Sequence, residues 1–498
     1  MKPDSPTEPD VLLIGSGIMS ANLGALLKRL APELRIQVVE SASTLAPEAS
    51  DGWHNAGTGH AGICELSYTP EREKDGSVDV RKAIEIFAQF EQSKQFWGYA
   101  VASGMIDTPS DFINPIPHIS FVHGDEQVEF LRDRHAGMAA HHFFARMEYT
   151  TDRTRIADWA PLLTEDRANT PIAATRMDSG TDVNFGVLAR KLLSWLAAQP
   201  GCKVTTGLRV VRLEKSGDRW RATVRERSGA TFTIRARFVF IGAGGGSLPL
   251  LQSANIPEAQ GIGGFPIGGQ WLVCTNPDVI RRHHAKVYGQ ALDAAPTMAV
   301  PHLDSRRLEG RRELLFGPFA AWTTKFLHES GHWTDLPRSV RPDNLITLIT
   351  VGLYNLPLVR YLIQQGTQSM DDRIDVLRIF YPAARKADWK LIDAGIRVQA
   401  IKKTDGRAGI VHYGTEVLTD AAGTLSALLG ASPGASTSVH IVLQIIERCF
   451  PELTQSANGR SRLEEMVPGH LVDFTLAANA EHFREIHAQT NLRLHLTT

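Results

Sequence analysis

Two glycines and a small serine stand at the spacing of a phosphate-cradling loop in Gly15-Ser16-Gly17-Ile18-Met19-Ser20. Gly15 permits the tight turn out of a strand, Gly17 lets the backbone approach a pyrophosphate, and Ser20 is small enough for a helix to pack on a sheet. The start of that helix, at Ile18 and Met19, offers free N–H groups and a positive dipole end to phosphate oxygens. Glu40 lies where an acid would accept hydrogen bonds from adenosine ribose hydroxyls. A glycine-rich β-α turn with no ligand is the plain alternative, and the acid at the right distance weighs against it.

Two further glycine loops narrow the cofactor. Gly242, Ala243 and Gly244 follow the apolar run RFVFI, and Gly430 to Gly434 precedes a long apolar stretch. Three such loops, the first opening the chain and the second following alternating strands, are the pattern that closes an FAD site in two-domain flavoproteins. The late helix would aim its N-terminus at the flavin and stabilise the negative charge that reduction places there. Ser432, Gly434, Ala435 and Ser436 are therefore cofactor-binding candidates, with Val210 in the alternating region before the second loop. Read by itself, 430–437 is an ordinary loop with a helix cap.

The elements that must position these groups can be read in outline. Asp10 to Ile14 is a short buried strand, Ile18 to about Leu30 a helix stopped by Pro32, and Arg35 to Glu40 a second strand. Residues 80–104 and 185–198 carry helical spacing, and His118 to Val122 reads as a strand. Lys203 to Arg237 alternates and turns twice, as a β-meander does. Ser438 to Phe450 is an apolar helix. The expected fold class is α/β: an FAD-binding Rossmann-like domain of the glutathione-reductase-like, two-domain flavoprotein type, with an inserted α+β substrate domain carrying a mixed sheet. The nucleotide-binding pieces recur along the chain, which divides it into 10–110, 176–260 and 406–498 for the FAD-binding domain. Residues 111–175 and 261–405 fall to the substrate domain.

Composition bounds the function. The 498 residues are enough for more than one domain, and 43% hydrophobic with 21% charged residues is ordinary for a globular enzyme. A formal net charge of -1 argues against nucleic acid as a partner. The four cysteines, Cys64, Cys202, Cys274 and Cys449, show no CxxC spacing, so neither a metal site nor a redox dithiol is expected. The start lacks the apolar core of a secretion signal, and no stretch is long enough to span a bilayer. A cytoplasmic protein is expected, with any membrane contact peripheral. Leu356 to Ile363 could lie in an interface or form a buried helix.

The segment Asn55-Ala-Gly-Thr-Gly-His60 makes the reading specific. With IGSGIMSANLG (14–24), FINPIPHISFVHG (112–124), GTDVNFG (180–186), RFVFIGAGGGS (237–247), FPIGGQWLV (265–273) and LLGASPGAST (428–437), it resembles the malate:quinone oxidoreductase family. AKVYG (285–289), LFGPFA (315–320) and TKFL (324–327) continue the resemblance, which runs from about residue 10 to beyond 440. The resemblance implies FAD, oxidation of (S)-malate to oxaloacetate, transfer of two electrons to quinone without NAD, and service in the tricarboxylic acid cycle. It also implies a peripheral seat on the cytoplasmic membrane face. Asn55, Gly57, Thr58, Gly59 and His60 join the cofactor-binding candidates.

Oxidising a 2-hydroxy acid requires a base for the hydroxyl proton and cations for the carboxylates. Histidine suits the first and arginine the second. His60, His118 and His302 lie in family-like blocks and are the histidine candidates, although most of the 18 histidines must be structural or solvated. Lys325, Arg397 and Lys402 are the cationic candidates, with Arg176 also in a matching stretch. Met19, Trp53 and Trp97 fit packing better than chemistry. Two positions depart from the family pattern: Tyr354 stands where an acid is common, and Ile396 where a glutamine is common. A different pocket would admit a different 2-hydroxy acid, with oxygen as acceptor. A non-catalytic dinucleotide-binding protein is the alternative from another class.

Overall fold

The computed structural model describes residues 8–69, 72–73, 76–290, 300–354, 360, 364–404, 407–410, 415–430 and 434–496. Four fully buried residues, Val11–Ile14, form the strand on which the nucleotide-binding sheet is built. Strand Val11–Ile14 pairs in parallel with Ile36–Val39 on one side and Phe238–Ile241 on the other. Cys202–Thr205 and Leu425–Gly430 extend the parallel sheet outward, and Thr415–Thr419 closes one edge antiparallel.

Period-two alternation splits the side chains of this sheet between two cores. Val11 and Leu13 face helices Ile18–Leu30, Phe185–Ala197 and Ser438–Cys449. Leu12 and Ile14 face the antiparallel meander Leu208–Ser216, Arg219–Glu226 and Thr231–Ala236, along with helix Ser247–Ala254. The expected meander is thus present, but Cys202–Thr205 leaves it and joins the parallel sheet.

The second sheet is mixed and nine-stranded. Its order is Arg407–Ile410, Trp389–Thr404, Gly263–Cys274, Arg311–Ala321, His302–Leu308, Lys286–Tyr288, His118–His123, Ile172–Met177 and Glu148–Thr150. Only the contact between Lys286–Tyr288 and His118–His123 is parallel. Strand Ile172–Met177 runs past residue 175, and strand Arg407–Ile410 lies in this sheet. Strand pairs Ile113–Pro115 and Thr181–Val183 form a small third ladder.

Among the described residues, no helix is long and apolar enough to cross a membrane, and no group of His, Cys, Asp or Glu could hold a metal. The four cysteines are free. Leu356 to Ile363 and Ser432 lie outside the described residues, apart from Arg360, which is exposed. Tyr354 closes helix Pro342–Tyr354, and its side chain lies outside them as well.

Candidate active site

One cavity of about 920 Å³ runs from the first glycine loop to the nine-stranded sheet. At its first end, Gly15 takes φ +94, and a Cβ there would collide with the Gly242 carbonyl, so the first two glycine loops touch. Gly242 is also closely approached, since a Cβ on it would lie 2.5 Å from Ser20 Oγ. Helix Ile18–Leu30 has no side-chain cap of its own residues, and Ser50 Oγ accepts from Ile18 N–H at 3.0 Å instead. Ser16, between the two loop glycines, ties the loop to Glu40. Its N–H and Oγ both donate to Glu40 Oε2, at 3.0 and 2.6 Å, and Oγ accepts from Ala46 N–H at 2.8 Å. Glu40 Oε1 accepts from Ala42 N–H and Ser41 Oγ, at 2.8 and 3.2 Å. All four acceptor sites of Glu40 are thus taken by neighbouring groups of the chain, Ser41 making the longest contact.

The two most specific sequence blocks meet at the middle of the cavity. Ser436 Oγ donates to the Thr58 carbonyl at 3.0 Å and accepts from His60 N–H at 3.1 Å. Gly57 takes φ +59, and a Cβ on it would collide with the Arg306 guanidinium. A Cβ on Gly59 would collide with Thr181 Oγ1. These glycines are therefore required by close packing as well as by any approach to a cofactor. Asn55 Oδ1 accepts from Gly57 N–H at 2.9 Å and holds the turn. Gly15, Gly17, Ile18, Met19, Glu40, Asn55, Gly57, Thr58, His60, Val210, Gly242, Ala243, Gly244, Gly434, Ala435 and Ser436 all line the cavity, whereas Ser20 and Gly59 support it from behind. A continuous path from Glu40 and Val210 past Gly15–Met19 to His60 and Ser436 fits a flavin dinucleotide, with phosphates at the helix start.

The far end is built by two neighbouring antiparallel strands. Register places Tyr288 opposite His302 and Lys286 opposite Asp304. Side chains two apart share a face, so the four groups form a square. The rings of Tyr288 and His302 stack with centroids 4.3 Å apart. His302 Nδ1 lies 2.9 Å from Asp304 Oδ2, and Trp271 sits edge-on to His302 at 5.3 Å. Burial opposes a charge on Asp304, but His302, Lys286 and Arg306 hold its carboxyl well below the usual carboxylate range. Lys286 Nζ also reaches Asp182 Oδ1 at 3.1 Å and the Ala56 carbonyl at 2.9 Å. Arg306 Nε donates to Asp182 at 2.9 Å. Two buried cations and two buried carboxylates thus balance and tie the sheet to the loop around Asn55.

A second histidine–carboxylate pair lies nearby. His60 Nδ1 is 3.0 Å from Glu65 Oε2, and the His60 ring stands edge-on to Tyr288 at 6.3 Å. Burial works against the Glu65 charge, and His60 outweighs it, lowering the Glu65 pKa. Burial, reinforced by Asp304, pushes the Tyr288 phenol well above its usual value, and its hydroxyl pairs with Thr58 Oγ1 at 2.8 Å. Arg397 lines the cavity beside Ile396, and among the described residues its side chain has neither an ion pair nor a hydrogen bond. Burial lowers its pKa.

The candidates do not all converge. His60, His302 and Arg397 line the cavity; His118, Lys325 and Lys402 do not. His118 is fully buried off the cavity, with Nε2 accepting from Thr181 N–H at 3.2 Å, and burial drives its pKa down to about 3. Lys325 Nζ sits 5.2 Å over the Trp333 ring, and Lys402 is half-buried toward the end of strand Trp389–Thr404. Arg176 pairs with Asp178 on the surface side. Asp304, Tyr288, Trp271 and Glu65 escaped the sequence reading. Asp304 was signalled by its place two residues after His302, on the same strand face.

Comparison with known proteins supplies the rest. The profile of a family described as "Malate:quinone oxidoreductase (Mqo)" matches residues 7–496. The chain is 49% identical over 490 residues to a probable malate:quinone oxidoreductase 2 of Pseudomonas aeruginosa, covering 98% of this chain and 96% of that protein. It is 50% identical over 495 residues to a probable malate:quinone oxidoreductase of Methylobacillus flagellatus, covering 99% and 100%. Among solved structures it resembles L-alpha-glycerophosphate oxidase from Mycoplasma pneumoniae with FAD bound (TM-score 0.56, 14% identity, 89% and 94% covered). It also resembles glycine oxidase from Geobacillus kaustophilus (TM-score 0.57, 15% identity, 91% and 96% covered). At such identities these structures show the shared mixed α/β fold alone.

Proposed function

The chain belongs to the malate:quinone oxidoreductase family, and on that premise we propose that it oxidises (S)-malate to oxaloacetate, with FAD as cofactor and a membrane quinone as electron acceptor, in the tricarboxylic acid cycle. The observation that carries this reading for the site is the shared cavity of Arg397, a half-buried cation whose side chain has no partner among the described residues, and His302, a histidine backed by Asp304.

The roles follow from the chemistry each group can do. The Arg397 guanidinium binds a malate carboxylate through its fork and so fixes the C2 centre. His302 Nε2 takes the C2 hydroxyl proton, while the ionised Asp304 orients the ring and stabilises the imidazolium that forms. Tyr288, stacked on His302, fixes the plane of the base. Bound FAD supplies the acceptor for the C2 hydride. Lys286 and Asp182 hold the strands and the Asn55 loop in register; His60 stands between that loop and Tyr288, as a cofactor contact. We assign 10–110, 176–260 and 406–498 to a glutathione-reductase-like FAD domain, with the passages near 175 and 405 moved past strands Ile172–Met177 and Arg407–Ile410. We place the protein peripherally on the inner face of the cytoplasmic membrane.

Ile396 beside Arg397 favours one refinement, that other 2-hydroxy acids also enter. The test is anaerobic mixing of the yellow holoprotein with malate, lactate and 2-hydroxyglutarate. Malate should bleach the flavin fastest. A flavin that malate leaves oxidised overturns the malate reading, and electron transfer to oxygen but not to quinone overturns the acceptor.

A further inference from the structure

Helix Pro342–Tyr354 packs apolar side chains, half-buried Leu348 and buried Val351, over only part of its inward face and leaves a run of aliphatic residues exposed. Its inward face carries Asn344 and Thr347, both fully buried, beside Val351. Asn344 Nδ2 is spent on the Ile262 and Ser339 carbonyls, at 3.1 and 3.0 Å, and Thr347 Oγ1 has no hydrogen-bond partner among the described residues. Its outward face carries Leu345, Ile346 and Ile349, which are 45%, 64% and 54% exposed. Water-facing helices show the opposite pattern. Its one charged residue is Asp343, in the first turn. Upstream in the same stretch of chain, Trp322 and Trp333 are also exposed, and Lys325 Nζ lies over the Trp333 ring.

We propose that this face, Leu345, Ile346 and Ile349 flanked by Trp322 and Trp333, lies in the lipid bilayer surface. The composition is that of an interfacial anchor: aliphatic side chains for the acyl boundary, tryptophans for the headgroup level, and a nearby cation for anionic lipid. Position argues the same way. Asp335, Arg338 and Ser339, immediately before the helix, line the cavity. A quinone dissolved in lipid therefore meets the cavity wall and the anchor in one continuous segment. This inference rests on the quinone reading, which gives the enzyme a reason to touch lipid.

The test uses the full-length holoprotein and vesicles of phosphatidylethanolamine and phosphatidylglycerol, without malate. The wild type should co-sediment with the vesicles and the emission of Trp333 should shift to the blue, a shift absent from Trp333→Phe. The double variant Ile346→Ser with Ile349→Ser should lose on the order of tenfold or more in partitioning, because two aliphatic side chains no longer leave water. It should keep malate-dependent reduction of a soluble dye, which shows an intact fold. A wild type that ignores vesicles, or a double variant that binds them as well as the wild type, overturns the proposal. A wild type that dimerises through this face and leaves vesicles alone overturns it in favour of a second copy. Failure of malate to bleach the flavin is a separate result, read in the absence of lipid.

Discussion

Tyr288 lies directly opposite His302 on adjacent antiparallel strands, and the two rings stack 4.3 Å apart and 7° from parallel. The stack fixes one ring by the other, and Asp304 fixes His302 from its Nδ1 side. The imidazole thus has a set plane and a set outward nitrogen before any substrate arrives.

His302→Gln should lower kcat for malate by roughly 10²–10⁴-fold, the range for loss of a general base, with the flavin retained. Asp304→Asn should also lower kcat, with KM little changed, because it acts through His302. Steady-state kinetics and the flavin spectrum check both. A variant of His302 with wild-type kcat removes it as the base.

Arg397→Met should raise KM for malate by about 10²-fold or more through loss of a bidentate charge contact. Arg397→Lys should recover only part of that, since an ammonium cannot present the fork. Equal loss for malate and for a hydroxy acid with one carboxylate would identify which carboxylate the guanidinium holds.

Acid should destabilise the fold through buried histidines. Burial lowers His118 to about 3 and His283 to about 4, below the value of about 6.5 in an unfolded chain. Because the folded pKa is depressed, the unfolded chain binds the extra protons. The contribution is fully present above about pH 6.5 and is lost as pH falls toward 4 and 3, by up to about 1.4 kcal/mol per pH unit for each group. Urea midpoints between pH 7.5 and 5 should fall for the wild type and fall less steeply for His118→Gln.

Ser436→Ala should weaken FAD binding by up to roughly 30-fold, since it removes both hydrogen bonds joining the Thr58–His60 loop to the late loop, each of about 1 kcal/mol. Flavin release on dilution, followed by fluorescence, measures it.

How much of this was legible depends on how local the signal is. The strand Val11–Ile14, the Gly15 turn and helix Ile18–Leu30 are consecutive in sequence, and their apolar runs and glycines specify them without help from the rest of the chain. The Asn55–His60 and 428–437 blocks were legible as family signatures, but their junction at Ser436 was not, because it spans 378 positions. His118 and His302 were indistinguishable in sequence, each following a proline on a strand. The face each presents is set by neighbours: Thr181 takes His118 inward, while Tyr288 and Trp271 leave His302 on the cavity wall. Lys325 lies over the Trp333 ring and off the cavity wall, a placement set by a residue eight positions later. Tyr288 needed the strand register, which no single segment encodes.

The central sheet has a consequence for how the protein is made. Strand Val11–Ile14 meets its neighbour Phe238–Ile241 only after nearly half the chain has left the ribosome, and Leu425–Gly430 comes later still. At roughly 5–20 residues per second, the first strand waits on the order of 20 to 80 seconds for the sheet to close. Nascent chains arrested before Ser436 are therefore expected to take up no lasting flavin, which cofactor capture by stalled ribosome complexes would measure. Until then the apolar faces of the opening strand and helix are clients for chaperones, and the supply of FAD matters most in the last moments of translation.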